Sequence, residues 1–168
     1  MKVSPQIHSI FIANLAGAPM RPIEKAEIIA GEGIASDRYA LGLGAFSKTK
    51  PKIRHISLIA LSALAQANSQ LLVKQQEPFC EGDTRRNLVI SGIHEDELNS
   101  LVGKIFYLGG LAFRGTELCV PCQRPAKLLR RPDFMAAFEG RGGLRAEALE
   151  SGTLSNGDLL TLLHGQVK

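Results

Sequence analysis

The chain has no tryptophan and only 2 tyrosines among 168 residues, so it lacks the stacking aromatics with which proteins hold single-stranded nucleic acid. Charge points the same way. Lys and Arg total 20 against 16 Asp and Glu, a formal net charge of +4. That surplus admits anionic ligands but is not a nucleic-acid footprint, and the basic stretch Lys48, Lys50, Lys52 and Arg54 does not change the balance; no nucleic-acid partner is expected. Cysteine is scarce and odd in number, 3 in all. This excludes a secreted disulfide framework and leaves thiols that are free, catalytic or metal-bound in a reducing compartment. No apolar run nears the ~18 residues of a membrane span. Lys2, the stretch Ile7 to Leu15 and the small residues Ala16-Gly17-Ala18 imitate a signal peptide, but His8, Ser9 and Asn14 interrupt the apolar core, and the segment reads as a first β-strand. A cytoplasmic protein with no membrane partner is expected.

Internal repeats and low-complexity tracts are also absent, and 168 residues fit one domain at about 100–200 residues each. Strands are predicted at Ile7–Asn14, Lys25–Ala30, Ile53–Ile59 and Leu88–Ile90. Two more, Lys104–Leu108 and Leu111–Leu118, flank Gly109-Gly110, a pair suited to a tight hairpin turn with positive φ. Between the second and third strands lies a turn-rich loop, Gly31 to Arg38, followed by a glycine-spaced basic segment through Lys52 and Pro51 that reads as the most mobile stretch. Leu61, Leu64, Ala65, Leu71 and Leu72 recur at helical spacing before Pro78. Shorter helices are expected at Glu95–Leu101, Lys127–Arg131 and Phe134–Phe138. Arg141-Gly142-Gly143 reads as a flexible hinge before a last pair of strands, Leu144–Leu149 and Asp158–Leu163, joined by Ser155-Asn156-Gly157. The pattern predicts a mainly β protein with peripheral helices, an α+β small barrel or twisted sheet rather than a doubly wound fold.

Two groups of residues carry chemistry. Cys119-Val120-Pro121-Cys122 places two thiols where they can ligate one metal, exchange with a disulfide, or simply lie buried as small apolar groups. For structural zinc the ligand set would need completion from Cys80, His8, His55, His94 or His164, which are scattered, and the βαβ context of a thioredoxin-type pair is missing. The second group is a set of loop arginines: Arg38 after Asp37, Arg54 at a strand start, and Arg85-Arg86 before Asn87. Guanidinium forks bind phosphate through parallel hydrogen bonds, with glycine-rich backbone nearby to add N–H donors. The alternative is pairing with surface carboxylates such as Glu81 or Asp83. His55 and His94 read as structural histidines.

Taken in order, Gly33-Ile34-Ala35-Ser36-Asp37-Arg38, Ile56-Ser57-Leu58 before a helix, Arg85-Arg86-Asn87-Leu88-Val89-Ile90-Ser91-Gly92, Leu98 to Gly103, Pro121-Cys122 and Asn156-Gly157-Asp158 resemble the MOSC domain, the module named for the C-terminal part of molybdenum cofactor sulfurases. The resemblance covers about residues 20 to 165. It implies a mixed β-barrel related to the barrel domain of pyruvate kinase, whose members bind the pterin form of molybdenum cofactor or handle sulfur for it. By similarity, Cys122 is the thiolate on molybdenum, and Cys119 the extra thiol beside it, as in the mitochondrial amidoxime-reducing branch. Arg38, Arg54, Arg85, Arg86 and Asn87, with Asp37 next to them, line the phosphate and pterin pocket.

A soft thiolate suits a metal held by dithiolene sulfurs, and cationic neighbours favour the thiolate form that binds metal or accepts sulfur. The resemblance therefore implies either of two activities. One is reduction of N-hydroxylated small molecules, with electrons from an outside donor because flavin and iron–sulfur motifs are absent. The other is sulfur carriage, in which Cys122 takes a persulfide from a cysteine desulfurase. The separate barrel domain of the amidoxime reducers and the aminotransferase-like domain of the sulfurases have no counterpart here, so pyridoxal phosphate is not expected.

Overall fold

The computed structural model describes residues 3–49 and 53–162. Lys2, Lys50, Pro51, Lys52, Leu163 and His164 lie outside the described residues. The strands are β1 (Gln6–Ile12), β2 (Arg21–Ile23), β3 (Lys25–Ile29), β4 (Gly33–Ile34), β5 (Ile56–Ala60), β6 (Leu88–Ser91), β7 (Ile105–Leu108), β8 (Leu111–Leu118), β9 (Leu144–Ala148), β10 (Gly152–Ser155) and β11 (Leu160–Leu162). The helices are α1 (Leu61–Val73), α2 (Glu95–Asn99), α3 (Gln123–Leu129) and α4 (Phe134–Ala137), with a 3-10 turn at Glu81–Thr84. Eight strands form one sheet in the order β11-β7-β8-β9-β5-β6-β1-β2, and β10-β3-β4 form a second. Among the described strands only β5 and β6 pair in parallel, and α1 supplies the crossover that a parallel pair needs. The large sheet curls until Gln6, at the start of β1, bridges Leu159 beside β11. Ile7 N–H donates to the Asp158 carbonyl and Leu160 N–H to the Pro5 carbonyl, both at 2.9 Å. The mainly β, barrel-like architecture with peripheral helices is thus the one expected.

Several local expectations are corrected. The last two strands do not pair with each other: β9 lies between β8 and β5, while β11 is at the far end of the sheet on β7. The Ser155-Asn156-Gly157 turn leads instead from β10, which pairs with β3, into β11. The Gly31–Arg38 loop contains β4, paired with β3. The third strand starts at Ile56, and α3 starts directly after Cys122 rather than at Lys127. On α1 the buried stripe is Ala63, Leu64, Ala67 and Leu71, whereas Ala65 and Leu72 are exposed. Alanine, with the smallest side chain on that face, lets the helix approach the sheet closely.

The core is a continuous cluster of aliphatic side chains from the curled sheet, joined by Phe106 and Phe113 inside and by the Phe79, Phe134 and Phe138 cluster under α1, α3 and α4. Ile10, Leu88, Leu58, Leu144 and Leu118 lie in register across β1, β6, β5, β9 and β8. The segments that enter β6 and β9 and leave β8 at this row build the site. His55, which precedes β5, accepts the Ala148 N–H at Nδ1 (3.0 Å). Burial lowers its pKa, and Glu147 partly opposes the shift. A base whose folded pKa lies below its unfolded value of about 6.5 destabilises the fold when it must be protonated. Full stability is therefore expected above that value, with a loss as pH falls through the folded pKa. Melting temperatures between about pH 7 and 5 should decline less steeply in His55→Asn than in the wild type.

Candidate functional site

Asn87 sets the frame. Its backbone N–H donates to the Ser57 carbonyl and its side-chain Oδ1 accepts from Ser57 N–H, each at 3.1 Å, while Nδ2 donates to the Phe11 carbonyl at 3.1 Å. One buried amide thus ties β6 to β5 and to β1, and fixes where the preceding Arg85 and Arg86 leave the sheet. With both ends of its amide engaged inside the protein, Asn87 contributes to the site by positioning. Arg85 closes the 3-10 turn in the left-handed conformation (φ 58°), and both it and Arg86 join the lining of the site.

Asp37 plays the same part on the opposite wall. It is fully buried, its Oδ1 accepts from Ala13 N–H (3.1 Å) and Arg38 Nη1 (3.2 Å), and its Oδ2 accepts from Tyr39 N–H (3.3 Å). Arg38, 6% exposed, also reaches Met20 Sδ and the Arg85 carbonyl, each at 3.4 Å, and lies 4.9 Å from the centre of the Tyr39 ring. The ionised Asp37 offsets the cost of burying this cation.

The third wall is the connection from β8 to α3. Cys119 is buried and Cys122 exposed. Cys119 N–H donates to the Gly143 carbonyl at 2.8 Å. Gly142 passes so close that an added Cβ would lie 2.1 Å from the Cys119 carbonyl oxygen, and its own carbonyl accepts from Arg86 Nε at 2.8 Å. Arg141-Gly142-Gly143 is therefore not a hinge. Both glycines are buried, and they are required because two backbones cross there without room for side chains. Cys122 is the N-cap residue of α3 but makes no side-chain cap hydrogen bond, so its sulfur is available at the surface of the cleft.

These walls meet in a pocket lined by Arg38, Arg85, Arg86, Arg124, Arg145 and Cys122, with Tyr39, Phe46 and Val120 among its apolar parts. Five guanidinium groups face one exposed thiol. Arg85 donates to the Ala18 carbonyl (2.9 Å) and Arg145 to Glu117 (2.5 Å). Burial, then the proximity of Arg38 and Arg124, lowers the Arg85 pKa to about 10. It remains protonated at neutral pH, held in like-charged company that a bound anion would relieve. Two of these arginines, Arg124 and Arg145, escaped the sequence reading. Arg124 lies two residues past Cys122 on a helix placed too far downstream, and Arg145 is in a strand whose neighbours were misassigned.

Arg54 does not share this pocket. It lines an adjoining hollow of about 400 Å³ with His55, Ser47 and Glu32, and Tyr39 and Phe46 line both this hollow and the arginine pocket. Its guanidinium lies 4.7 Å from the centre of the Phe46 ring, and its buried Nε has no hydrogen-bond partner among the described residues. Among the described residues no three His, Cys, Asp or Glu side chains converge as a metal-ligating group. His94 caps α2, accepting Asp96 N–H at Nδ1 (3.3 Å). No helix among the described residues is long and apolar enough to cross a membrane.

The model of the MOSC domain family matches residues 47–161. The chain belongs to the MOSC domain family. The match leaves out Gly33–Arg38, yet the fold carries Arg38 into the pocket of Cys122. No curated protein matches the chain. Solved structures of similar fold include the YuaD protein from Bacillus subtilis, with a TM-score of 0.74 and 19% identity over 94% of each chain. YiiM from Geobacillus stearothermophilus has a TM-score of 0.69 and 18% identity over 97% of this chain and 77% of its own. YiiM from Escherichia coli has a TM-score of 0.67 and 13% identity over 94% and 69%. At these identities the likeness is one of fold.

Phosphate added at matched ionic strength should raise the melting temperature of this MOSC protein. An anion at about ten times its Kd stabilises by about 1.4 kcal/mol, or about 3–6 °C for a domain of this size. Arg86→Ala should remove most of that gain, and an unchanged gain would assign the anion to another site.

Proposed function

We propose that this MOSC protein holds molybdenum cofactor at Cys122 and reduces N-hydroxylated small molecules. The family is associated with molybdenum cofactor binding, and the observation that supports the reading here is the exposed Cys122 thiol set in a pocket of five arginines. The donor set fits the group: thiolate sulfur is a soft ligand for molybdenum, and guanidinium forks suit the terminal phosphate. The arginine pocket itself encloses only about 60 Å³, room for a metal centre or a phosphate but not for a pterin. The pterin body extends in this reading toward the 400 Å³ hollow of Arg54 and Ser47, whose volume lies within the range of small-molecule sites.

The cofactor, when bound, supplies the two-electron chemistry that removes oxygen from nitrogen. The chain's own residues bind and orient. Arg86, held by the Gly142 carbonyl, and Arg38, held by Asp37, present fixed cations. Tyr39 and Phe46 line both chambers. Cys119, buried and tied to Gly143, fixes the turn that presents Cys122. Electrons come from an outside donor.

The second reading, sulfur carriage on Cys122 from a cysteine desulfurase, is favoured by the same thiol's exposure. Anaerobic purification from a host that makes the cofactor separates the two. The reductase reading expects bound pterin and reduction of N-hydroxylated compounds by the loaded protein. A labile, reducible addition of about 32 Da on Cys122 without pterin would replace it with the carrier reading.

A further inference from the structure

A groove of about 710 Å³ lies beside the arginine pocket, and the two share Gly17 and Arg85 in their walls. Phe11, Met20, Leu64, Phe79, Leu128 and Leu129 give the groove its apolar lining. The 3-10 turn Glu81–Thr84 builds its polar end, and a Cβ on Gly82 would already touch the Phe11 ring at 3.4 Å. Along this single turn the charge reverses. Glu81 and Asp83 line the groove, and Arg85, at the exit of the turn, faces the arginine pocket as well.

The two carboxylates differ in how far they are engaged. Glu81 Oε1 lies 3.0 Å from His8 Nε2, and its other oxygen accepts from Ser9 Oγ. Asp83 accepts Cys80 N–H at Oδ2 (2.8 Å), while its Oδ1 has no hydrogen-bond donor among the described residues. An apolar trough that ends on a carboxylate oxygen favours a ligand with an apolar body and a cationic end. An anionic end would meet both acids there, and the cations nearest them are Arg85 at the exit of the turn and Arg131, stacked over the Phe79 ring.

We infer that this groove binds the body of the substrate: a slender apolar, ring-bearing molecule whose cationic end meets Asp83 while its reacting end points toward Arg85, which the groove shares with the pocket of Cys122. The assignment rests on the reading of Cys122 given above for what happens at the reacting end, but binding in the groove does not depend on any metal. Leu128, 43% exposed at the groove wall, and Asp83 then set specificity.

The probes are phenethylamine and its anionic counterpart hydrocinnamate, followed by amide chemical shifts of the whole chain. Phenethylamine is expected to shift Gly82 and Gly17 saturably, and hydrocinnamate to bind more weakly. Asp83→Asn, which keeps an oxygen for Cys80 N–H, should weaken phenethylamine about five- to tenfold. Leu128→Trp, at an exposed position on the groove wall, should narrow the groove and weaken binding of the probe. Absence of saturable shifts, equal binding of the two probes, or unchanged binding in both variants would overturn the assignment. Metal analysis keeps the two readings apart. If the wild type binds phenethylamine but loads no molybdenum, the reading of Cys122 fails and the groove stands; if molybdenum loads fully and neither probe binds, the groove assignment alone fails.

Discussion

Cys122→Ser is expected to leave a folded protein that no longer reduces N-hydroxylated compounds. The thiol is exposed, makes no cap hydrogen bond, and sits at the N-cap of α3, a position where serine is among the preferred residues. The hydroxyl should therefore hold or raise stability, by up to about 1 kcal/mol. What serine cannot do is replace a soft sulfur on molybdenum. Activity should fall at least about a hundredfold while the melting temperature does not fall. Cys119→Ser should show the reverse pattern. That side chain is 2% exposed, so a hydroxyl there lacks water and costs about 1–3 kcal/mol of stability, with cofactor content largely kept. Activity retained in Cys122→Ser would remove the thiol from both the reductase and the sulfur-carrier readings.

The second large effect is on stability. Gly143→Ala should cost about 3–5 kcal/mol. Gly143 has φ +83°, and a Cβ there would lie 1.9 Å from the Leu58 carbonyl oxygen, a backbone atom of β5. Relief would require prying β9 from β5, where Leu144 pairs with Leu58, and would displace the Gly143 carbonyl that anchors Cys119. Denaturant unfolding should show a much lower midpoint, and any folded fraction should bind phosphate weakly. Gly110→Ala makes a fair control: its φ is +81° but nothing lies within 4 Å of an added Cβ, so only the conformational cost of about 1–2 kcal/mol remains. Similar losses in the two variants would show that the crossing at Gly143 is not tightly packed.

Sequence periodicity carried the fold's local pieces. The β-runs Lys104–Leu108 and Leu111–Leu118 with the Gly109-Gly110 pair between them give the β7–β8 hairpin, because its turn and register are set by residues adjacent in sequence. The partners of β9 and β11 were not legible, since each pairs with strands distant in sequence and alternation is silent about which strand lies alongside. The same limit applied to the site. Arg38, Arg85, Arg86 and Cys122 were legible as candidates and the fold brings them together, whereas Arg124 and Arg145 join them only through the β8–α3–β9 connection. Gly142 and Gly143 were misread because a glycine pair looks alike in a mobile link and in a backbone crossing; only the neighbouring carbonyls of Cys119 and Leu58 distinguish the two.

Metal analysis of wild type and Cys122→Ser, purified side by side under anaerobic conditions, tests most directly whether Cys122 is the protein's ligand to molybdenum. Near-stoichiometric molybdenum in the wild type, falling to about a tenth or less in the variant, is the predicted result. Equal molybdenum in the two proteins, or zinc in its place, would contradict it.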